Sequence, residues 1–285
     1  MSDWKNELDY FISNAIREDI GEGDHTSLAC IPEEENSAAQ LIVKESGILA
    51  GMDLAAEIFG QVDAELKMTS FLKDGDEIHE GDIAFRISGS ARSILKAERL
   101  VLNCMQRMSG IATKTKKYVD LVSPYKCQIL DTRKTTPGFR ELEKWAVRIG
   151  GGTNHRFGLY DMIMIKDNHI DYAGGIQLAI EKTVSYLREI KKDLKIEIEA
   201  RNLMEVDEIL KIGQVNRIML DNFNYADLRE AVRRIGGIYE TEASGGINEK
   251  TVAEYAACGV DYISVGALTH QIHSLDMSLK AIVNE

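Results

Sequence analysis

The chain has 285 residues, which is enough for a large buried core in a single barrel or in a barrel with a small second domain. Its formal net charge of -12 argues against nucleic acid or an anionic membrane surface as the main partner, because either would favour a broad basic face. Local clusters of Lys and Arg are therefore informative in this chain.

The sequence predicts a cytoplasmic protein with reduced thiols. Its N-terminal segment carries acids where a signal peptide would be basic, and no apolar run approaches the roughly 18 residues that span a bilayer. The 4 cysteines lie far apart and lack the paired spacing of a zinc or redox motif.

The first part of the chain combines helical and strand patterns. Apolar residues recur on one helical face over Leu8–Ile20. Period-two alternation predicts strands over Ala39–Val43 and Val62–Thr69, with a short helix over Asp53–Phe59 between them. Asp-Gly and Glu-Gly turns then lead into a strand over Ile83–Ile87. We expect an antiparallel α+β N-terminal domain.

Two helical runs follow this domain. Apolar residues from Ile94 to Ile111 share one face, and a second run extends through Tyr118 and Val122 to a stop near Pro124. Four polar residues interrupt the apolar surface, and their simplest interpretation is a solvated or subunit-facing edge: Glu98, Arg99, Asn103 and Arg107.

From Lys126 the chain repeats strand, loop and helix. The six predicted strands are Cys127–Asp131, Met162–Lys166, Lys195–Glu199, Arg217–Asp221, Tyr239–Ala243 and Tyr262–Gly266. Strands that alternate with helices form parallel sheets through right-handed crossovers, so we expect an α/β fold with an incomplete β/α barrel of about six to seven strands. A last helix over Asp276–Val283 is predicted to pack back on the first domain.

The ends of the predicted strands are polar or glycine, and in a parallel barrel they face one shared mouth. The early ends supply cations suited to carboxylates or phosphates, namely Arg133, Lys134, His155, Arg156 and Lys166. The middle ends supply Glu199 and Asp221, which suit Mg²⁺, ribose hydroxyls or a developing positive charge. The late ends supply glycine-rich turns for a phosphate, namely Ser244, Gly245 and Gly246, then Val265, Gly266 and Ala267.

Simpler interpretations stay open for several of these residues. A strand-end lysine such as Lys166 is compatible with a Schiff-base aldolase, and His155 and His169 are compatible with core histidines. The charged residues of the first barrel helix are interpreted as its solvated face: Arg140, Glu141, Glu143, Lys144 and Arg148.

Four ordered segments carry a resemblance to a known family: Asp131–Gly138, Gly150–Arg156, Ile165–His169 and Ser264–His270. With these segments the chain resembles the quinolinate phosphoribosyltransferases, the decarboxylating enzymes of NAD biosynthesis. The resemblance extends to Glu18–Asp24 and to the helical Glu98–Thr113, so it covers almost the whole chain.

The resemblance implies an N-terminal α/β sandwich domain over residues 1–112, joined by a C-terminal helix at 271–285, and a barrel domain over residues 113–270. It also implies a homodimer in which Arg99 reaches the partner's quinolinate, with a hexamer of dimers left open. Catalytic residues would be Lys134, Lys166, Glu199 and Asp221.

Substrate-binding residues would be Arg99, Thr132, Arg133, Lys134, His155, Arg156, Lys166, Glu199, Asp221, Ser244, Gly245, Gly246, Val265, Gly266 and Ala267. Glu199 and Asp221 would hold Mg²⁺, directly or indirectly, and no organic cofactor would be needed.

The implied reaction converts quinolinate and 5-phosphoribosyl 1-pyrophosphate to nicotinate mononucleotide, CO₂ and pyrophosphate. The nearest rival is a phosphoribosyltransferase or pyrophosphorylase of the same fold acting on nicotinate or another ring. A Schiff-base aldolase that uses Lys166 and a non-catalytic sensor of phosphorylated metabolites are the alternatives from other classes.

Overall fold

The computed structural model describes residues 2–282, with side chains from Trp4 onward. The chain divides into two compact units. The first unit contains the residues up to Lys116, the segment Thr136–Gly151 and the residues from Gln271. The second unit contains Lys117–Thr135 and Gly152–His270.

The elements up to residue 149 are α1 (Ser2–Ile20), α2 (His25–Cys30), β1 (Asn36–Val43), β2 (Gly47–Ile48), α3 (Met52–Val62), β3 (Lys67–Ser70), β4 (Glu77–Ile78), β5 (Ile83–Ser90), α4 (Ala91–Val122), β6 (Gln128–Leu130) and α5 (Arg140–Ile149). The remaining elements are β7 (Ile163–Ile165), α6 (Asp167–Ala173), α7 (Ile176–Ile190), β8 (Ile196–Ala200), α8 (Leu203–Ile212), β9 (Arg217–Asp221), α9 (Tyr225–Ile235), β10 (Glu240–Ser244), α10 (Val252–Ala256), β11 (Tyr262–Ser264), α11 (Ala267–His270) and β12 (Met277–Ala281). No helix among the described residues is both long and apolar enough to cross a membrane.

The first unit is built on an antiparallel sheet with strand order β12-β1-β5-β3. Alternation along β1 buries Leu41, which stands in register with Phe85 on one side and Leu279 on the other. Phe59 of α3 packs edge-on against Phe85, with ring centroids 5.7 Å apart. The expected antiparallel α+β organisation of this part of the chain is therefore confirmed.

The predicted C-terminal helix is wrong over its described residues. Met277–Ala281 forms β12, which pairs antiparallel with β1, and Val283 lies outside the described residues. Met277 and Leu279 are buried while Ser278 between them is not, which is strand alternation over a segment too short to be distinguished from a helix by period alone. The segment becomes a strand because it pairs with β1, about 240 positions earlier in the chain.

The two predicted helical runs join into one helix of 32 residues, α4. Gly110 lies in its interior, where glycine is usually unfavourable. A Cβ at Gly110 would lie 2.1 Å from the backbone carbonyl oxygen of His273. The glycine therefore permits the segment before β12 to approach the helix closely.

The charged face of α5 is not solvated as a whole. Glu143 and Lys144 are almost completely buried in the first unit. Glu143 accepts a hydrogen bond of 2.9 Å from Arg107 Nε, and Arg107 also donates to the Thr136 hydroxyl at 2.9 Å. The solvated interpretation is wrong for Glu143 and Lys144, which are buried, and for Arg107, whose guanidinium forms an ion pair with Glu143 within this unit.

The second unit contains six parallel strands in the order β6-β11-β10-β9-β8-β7. All six correspond to the predicted strands, and helices connect them in sequence. Within residues 2–282, β6 and β7 form the two edges of the sheet, so the barrel is open between its first and second strands. The predicted fold class, a mixed α/β chain with an incomplete barrel, is confirmed.

Candidate active site

The barrel strands bring the predicted site residues to one edge because neighbouring strands run parallel and nearly in register. Ser244 at the end of β10 stands opposite Asp221 at the end of β9, and Ala200 of β8 stands opposite Leu220. Glu199 is therefore one residue from the end of its strand, and Lys166 directly follows β7. Residues that are far apart in sequence meet at this mouth, as the parallel arrangement predicts.

The acidic part of the mouth contains Glu199 and Asp221, and Lys166 lies beside it. Lys166 Nζ lies 3.7 Å from Glu199 Oε2, and the Glu199 side chain is only 9% exposed. Burial raises the pKa of Glu199, the negative charge of Asp221 raises it further, and Lys166 opposes both effects. Two carboxylates that repel each other at a strand edge are a suitable place for a cation.

These carboxylates fit the Mg²⁺ expected from the sequence. Magnesium prefers oxygen ligands and is usually held by one or two carboxylates together with substrate phosphates. Glu199 and Asp221 supply such oxygens, and Asp221 is oriented by a 2.5 Å hydrogen bond from Asn222 Nδ2. The donor set therefore suits magnesium brought by a phosphorylated substrate.

Arg133, Lys134 and Arg156 supply positive charge on the side of β6 and β7. Arg133 and Lys134 are exposed, whereas Arg156 is partly buried. Burial lowers the pKa of Arg156, and the nearby positive charge of Arg133 lowers it further. Two guanidinium groups close enough to repel each other are typical of a site that binds an anion between or beside them.

The backbone around Lys134 is held by two hydroxyl groups. Lys134 N donates to the Thr132 hydroxyl at 3.0 Å, and the Thr269 hydroxyl donates to the Lys134 carbonyl at 2.8 Å. A Cβ at Gly266 would lie 3.1 Å from Lys134 Cδ and 3.1 Å from the His270 ring. The glycine after β11 thus leaves room for the lysine stem beside the mouth.

The loop after β10 has the backbone expected of a phosphate turn. Gly245 has φ 105° and Gly246 has φ 61°, both in the left-handed region that favours glycine. A Cβ at Gly245 would lie 2.2 Å from Asn222 Oδ1, whereas nothing lies within 4 Å of one at Gly246. Gly266 directly precedes α11, but residues 247–251 separate Gly246 from α10.

His155 is placed differently from the other predicted cations. Its side chain is 5% exposed, and its Nε2 lies 3.2 Å from both Glu197 Oε2 and Glu242 Oε2. The backbone N–H of Arg156 donates to His155 Nδ1 at 2.6 Å. Nδ1 thus accepts a backbone hydrogen bond, and Nε2 faces two buried carboxylates.

Burial lowers the pKa of His155, but hydrogen bonding of its ring N–H to Glu197 and Glu242, together with their negative charge, outweighs burial and raises the value to about 9. Burial and the charge of Glu242 raise the pKa of Glu197 to about 7. The two shifts have the same direction, because each of these two groups keeps its proton to a higher pH than it would alone. Since Nδ1 accepts the Arg156 N–H, the proton of His155 lies on the Nε2 side, between the ring and the carboxylates.

Sequence patterns left this buried cluster unassigned, although a signal was present. Glu197 lies two residues before Glu199, and Glu242 lies two residues before Ser244. Side chains two residues apart on a strand share a face, so Glu197 and Glu242 point into the barrel one layer below the mouth. Arg217 completes the layer, with Nη1 3.1 Å from Glu242 Oε2 and 3.7 Å from Glu197 Oε2. Acids at alternate positions of a barrel strand therefore indicate a charged interior.

A cavity of about 350 Å³ lies beside β7, with Arg156, Met164 and Lys182 among its lining residues. Its walls include residues of α7 as well as Ile165 and His169, so it extends from the end of β7 towards the helix layer. Arg99 lies on α4 in the first unit, with an exposed side chain. Its role across a subunit interface stays a prediction.

An open six-stranded barrel with paired carboxylates, clustered cations and glycine turns at its mouth defines an enzyme that handles small phosphorylated or carboxylated anions. Two sequence profiles match the chain, the quinolinate phosphoribosyl transferase N-terminal domain over residues 24–109 and the C-terminal domain over residues 111–280. The chain belongs to the quinolinate phosphoribosyltransferase family.

Individual relatives agree with this assignment. The chain is 48% identical over 284 residues to quinolinate phosphoribosyltransferase [decarboxylating] 1b of Nicotiana tabacum, which covers 94% of this chain and 81% of the relative. It is 47% identical over 289 residues to a chloroplastic nicotinate-nucleotide pyrophosphorylase [carboxylating] of Arabidopsis thaliana, covering 96% of this chain and 82% of the relative. The crystal structure of NadC from Streptococcus pyogenes superposes with a TM-score of 0.91 at 38% identity, covering 97% of each chain.

Proposed function

We propose that this protein transfers a phosphoribosyl group to quinolinate and decarboxylates the product, in de novo NAD biosynthesis. The substrates are quinolinate and 5-phosphoribosyl 1-pyrophosphate, and the products are nicotinate mononucleotide, CO₂ and pyrophosphate. Membership of the family over both domains supports the reaction. The observation that carries the choice of a diacid is that the positive charge of Arg133 lowers the pKa of Arg156, so that two guanidinium groups act within electrostatic reach of each other.

Quinolinate carries two adjacent carboxylates, and binding must compensate for their loss of water. Arg133, Lys134, Arg156 and Lys166 are the cations proposed to receive them. Each charge-assisted hydrogen bond contributes about 1.5–3 kcal/mol, so several are needed for a dianion. A monocarboxylate would leave part of this positive charge unused.

The phosphoribosyl half of the site is proposed for the later strand ends. The backbones of Ser244–Gly246 and Val265–Ala267 would receive the 5-phosphate, because glycine turns expose N–H groups to an anion. Mg²⁺ would be held near Glu199 and Asp221 with the substrate's phosphate oxygens, where it would neutralise charge on pyrophosphate.

Transfer begins when the pyridine nitrogen attacks ribose C1 and pyrophosphate leaves with the electron pair of the C1–O bond. C1 gains positive charge as that bond breaks, and the carboxylates of Glu199 and Asp221 would stabilise it. The nitrogen becomes cationic, so the ring can accept the electron pair of the bond to the adjacent carboxylate as CO₂ departs. A proton from water then occupies the vacated carbon, which yields nicotinate mononucleotide.

A homodimer completes this proposal. Arg99 is exposed on α4 and would reach the quinolinate of the partner subunit, as the resemblance implies. A hexamer of such dimers and a cytoplasmic location are further expectations from the sequence.

The experiment that tests the function follows CO₂ from carboxyl-labelled quinolinate. The purified protein should release label only when 5-phosphoribosyl 1-pyrophosphate and Mg²⁺ are both present. Turnover of nicotinate without turnover of quinolinate would favour the rival phosphoribosyltransferase. Trapping of a substrate carbonyl on Lys166 by borohydride would favour the aldolase.

A further inference from the structure

A layer of charged side chains lies inside the barrel below the proposed substrate site. Glu197 and Glu242 have fully buried side chains, and the Arg217 side chain is 12% exposed. Each buried ion loses several kcal/mol of hydration, and well-packed apolar residues of the same volume are often as stabilising. Stability alone is therefore a weak reason for this layer.

The layer holds one segment of irregular backbone. His155 belongs to no helix or strand, yet its ring enters the barrel and places Nε2 3.2 Å from Glu197 and 3.2 Å from Glu242. On the other side, Asp131 accepts a 2.8 Å hydrogen bond from His155 N and a 2.6 Å hydrogen bond from Asn154 Nδ2. The loop is thus fixed from both faces.

The next residue along this loop is Arg156, a proposed ligand of the substrate carboxylates. Its backbone N–H donates to His155 Nδ1 at 2.6 Å, and its Nη1 donates to the Met162 carbonyl at 3.3 Å. The charge of Arg133 acts against it. The path of the backbone at Arg156 therefore matters, because it sets the point from which this side chain extends.

We propose that Glu242, together with Glu197, is a positioning residue that acts on substrate binding through His155 and Arg156. The two carboxylates hold the imidazole, the imidazole holds the Arg156 backbone, and the point from which the guanidinium extends is thereby fixed. This inference rests on the proposed function, since it specifies how the dicarboxylate half of the same site is built.

A metal ion is the competing occupant, because His155, Glu197 and Glu242 present ligand atoms within 4.8 Å of one another. The position of Arg217 argues against a metal ion at this cluster. Its Nη1 faces Oε2 of Glu197 and Oε2 of Glu242, the same two oxygens that face His155. A divalent cation at these oxygens would lie beside a permanent positive charge, whereas the guanidinium already neutralises them.

The test is Glu242→Gln in the full-length protein, which removes the charge with little change in volume. The KM for quinolinate should rise by about tenfold or more, as for the loss of one charge-assisted hydrogen bond, while the KM for 5-phosphoribosyl 1-pyrophosphate changes less. Glu240→Gln is the matched control, since Glu240 lies on the same strand and pairs with Arg217 at 3.1 Å but has a 36% exposed side chain. Its quinolinate KM should change by no more than about twofold.

A double-mutant cycle separates positioning from general destabilisation. If Glu242 acts through Arg156, Glu242→Gln should have little further effect on quinolinate binding in an Arg156→Ala background. Additive effects would overturn the inference, as would an unchanged quinolinate KM in Glu242→Gln or a thermal midpoint raised by Zn²⁺ in the wild type but not in Glu242→Gln. Failure of the wild-type protein to turn over quinolinate would instead refute the proposed function.

Discussion

Replacement of Gly245 by alanine tests the geometry of the phosphoribosyl half. The new methyl group would lie 2.2 Å from Asn222 Oδ1 and 3.0 Å from the Asn222 backbone nitrogen, at a φ of 105°. Asn222 must then move, and with it the 2.5 Å hydrogen bond to Asp221. A left-handed backbone costs alanine roughly 1–2 kcal/mol, and the lost hydrogen bond adds about 1 kcal/mol.

Gly246→Ala is the matched control, because Gly246 also has a positive φ of 61° but nothing lies within 4 Å of an added Cβ. The control therefore carries the backbone cost alone. We expect the free energy of unfolding to fall by about 2–3 kcal/mol in Gly245→Ala, and by about 1 kcal/mol less in the control. Thermal unfolding followed by circular dichroism measures both.

The same pair of variants separates stability from binding. Displacement of Asn222 leaves Asp221 without its amide partner, so the KM for 5-phosphoribosyl 1-pyrophosphate should rise by about tenfold in Gly245→Ala. Quinolinate binding measured alone by calorimetry should change little, since its proposed ligands lie at the ends of other strands. Equal stability and equal KM values in the two alanine variants would refute the close approach of Gly245 to Asn222.

Three further predictions concern assembly, thiols and pH. Mixing inactive Arg99→Ala and Lys166→Ala subunits should restore some activity if Arg99 acts in the partner's site; no recovery despite demonstrated subunit exchange would contradict this. Iodoacetamide should alkylate exposed Cys30 in the folded protein and spare Cys104, because burial raises the pKa of that thiol to about 12; rapid labelling of Cys104 would contradict its burial. The raised pKa of His155, about 9 against 6.5, means that the folded state binds more protons between these values, so this contribution to stability is complete below pH 6.5 and is lost by about pH 9. It amounts to at most about 3 kcal/mol, and the slope of unfolding free energy against pH should flatten in His155→Gln; equal slopes would argue against the shift.

Much of the barrel could be predicted because its signals are local. Most of the six strands contain a short apolar run beside polar or glycine residues, although β8 and β10 also carry acids, and the helices between them keep a 3.6-residue period. The strand β12 could not be predicted in the same way. Its alternation covers Met277 to Leu279 only, and the strand exists because β1 offers an edge far away in sequence.

Some residues of the candidate site could likewise be predicted from the sequence, and others could not. Residues that lie at strand ends, such as Lys166 and Asp221, could be assigned from pattern and topology together. The buried partners of His155 could not, because periodicity does not show which acids of a barrel strand meet one another inside. Glu143 illustrates the same limit on a helix, where a charge on an amphipathic surface is buried against Arg107.

The pairing of β12 with β1 has a consequence for the order of folding. During synthesis the ribosome releases β1 and β5 well before Met277–Ala281, so the sheet of the first unit waits for its last strand while the whole barrel emerges. The segment with α5 also arrives after the barrel has begun. The barrel is continuous from Gly152 to His270 apart from its first strand, so we expect it to gain structure while the earlier unit still exposes the edge of β1, a period in which that edge is open to a chaperone or to another chain.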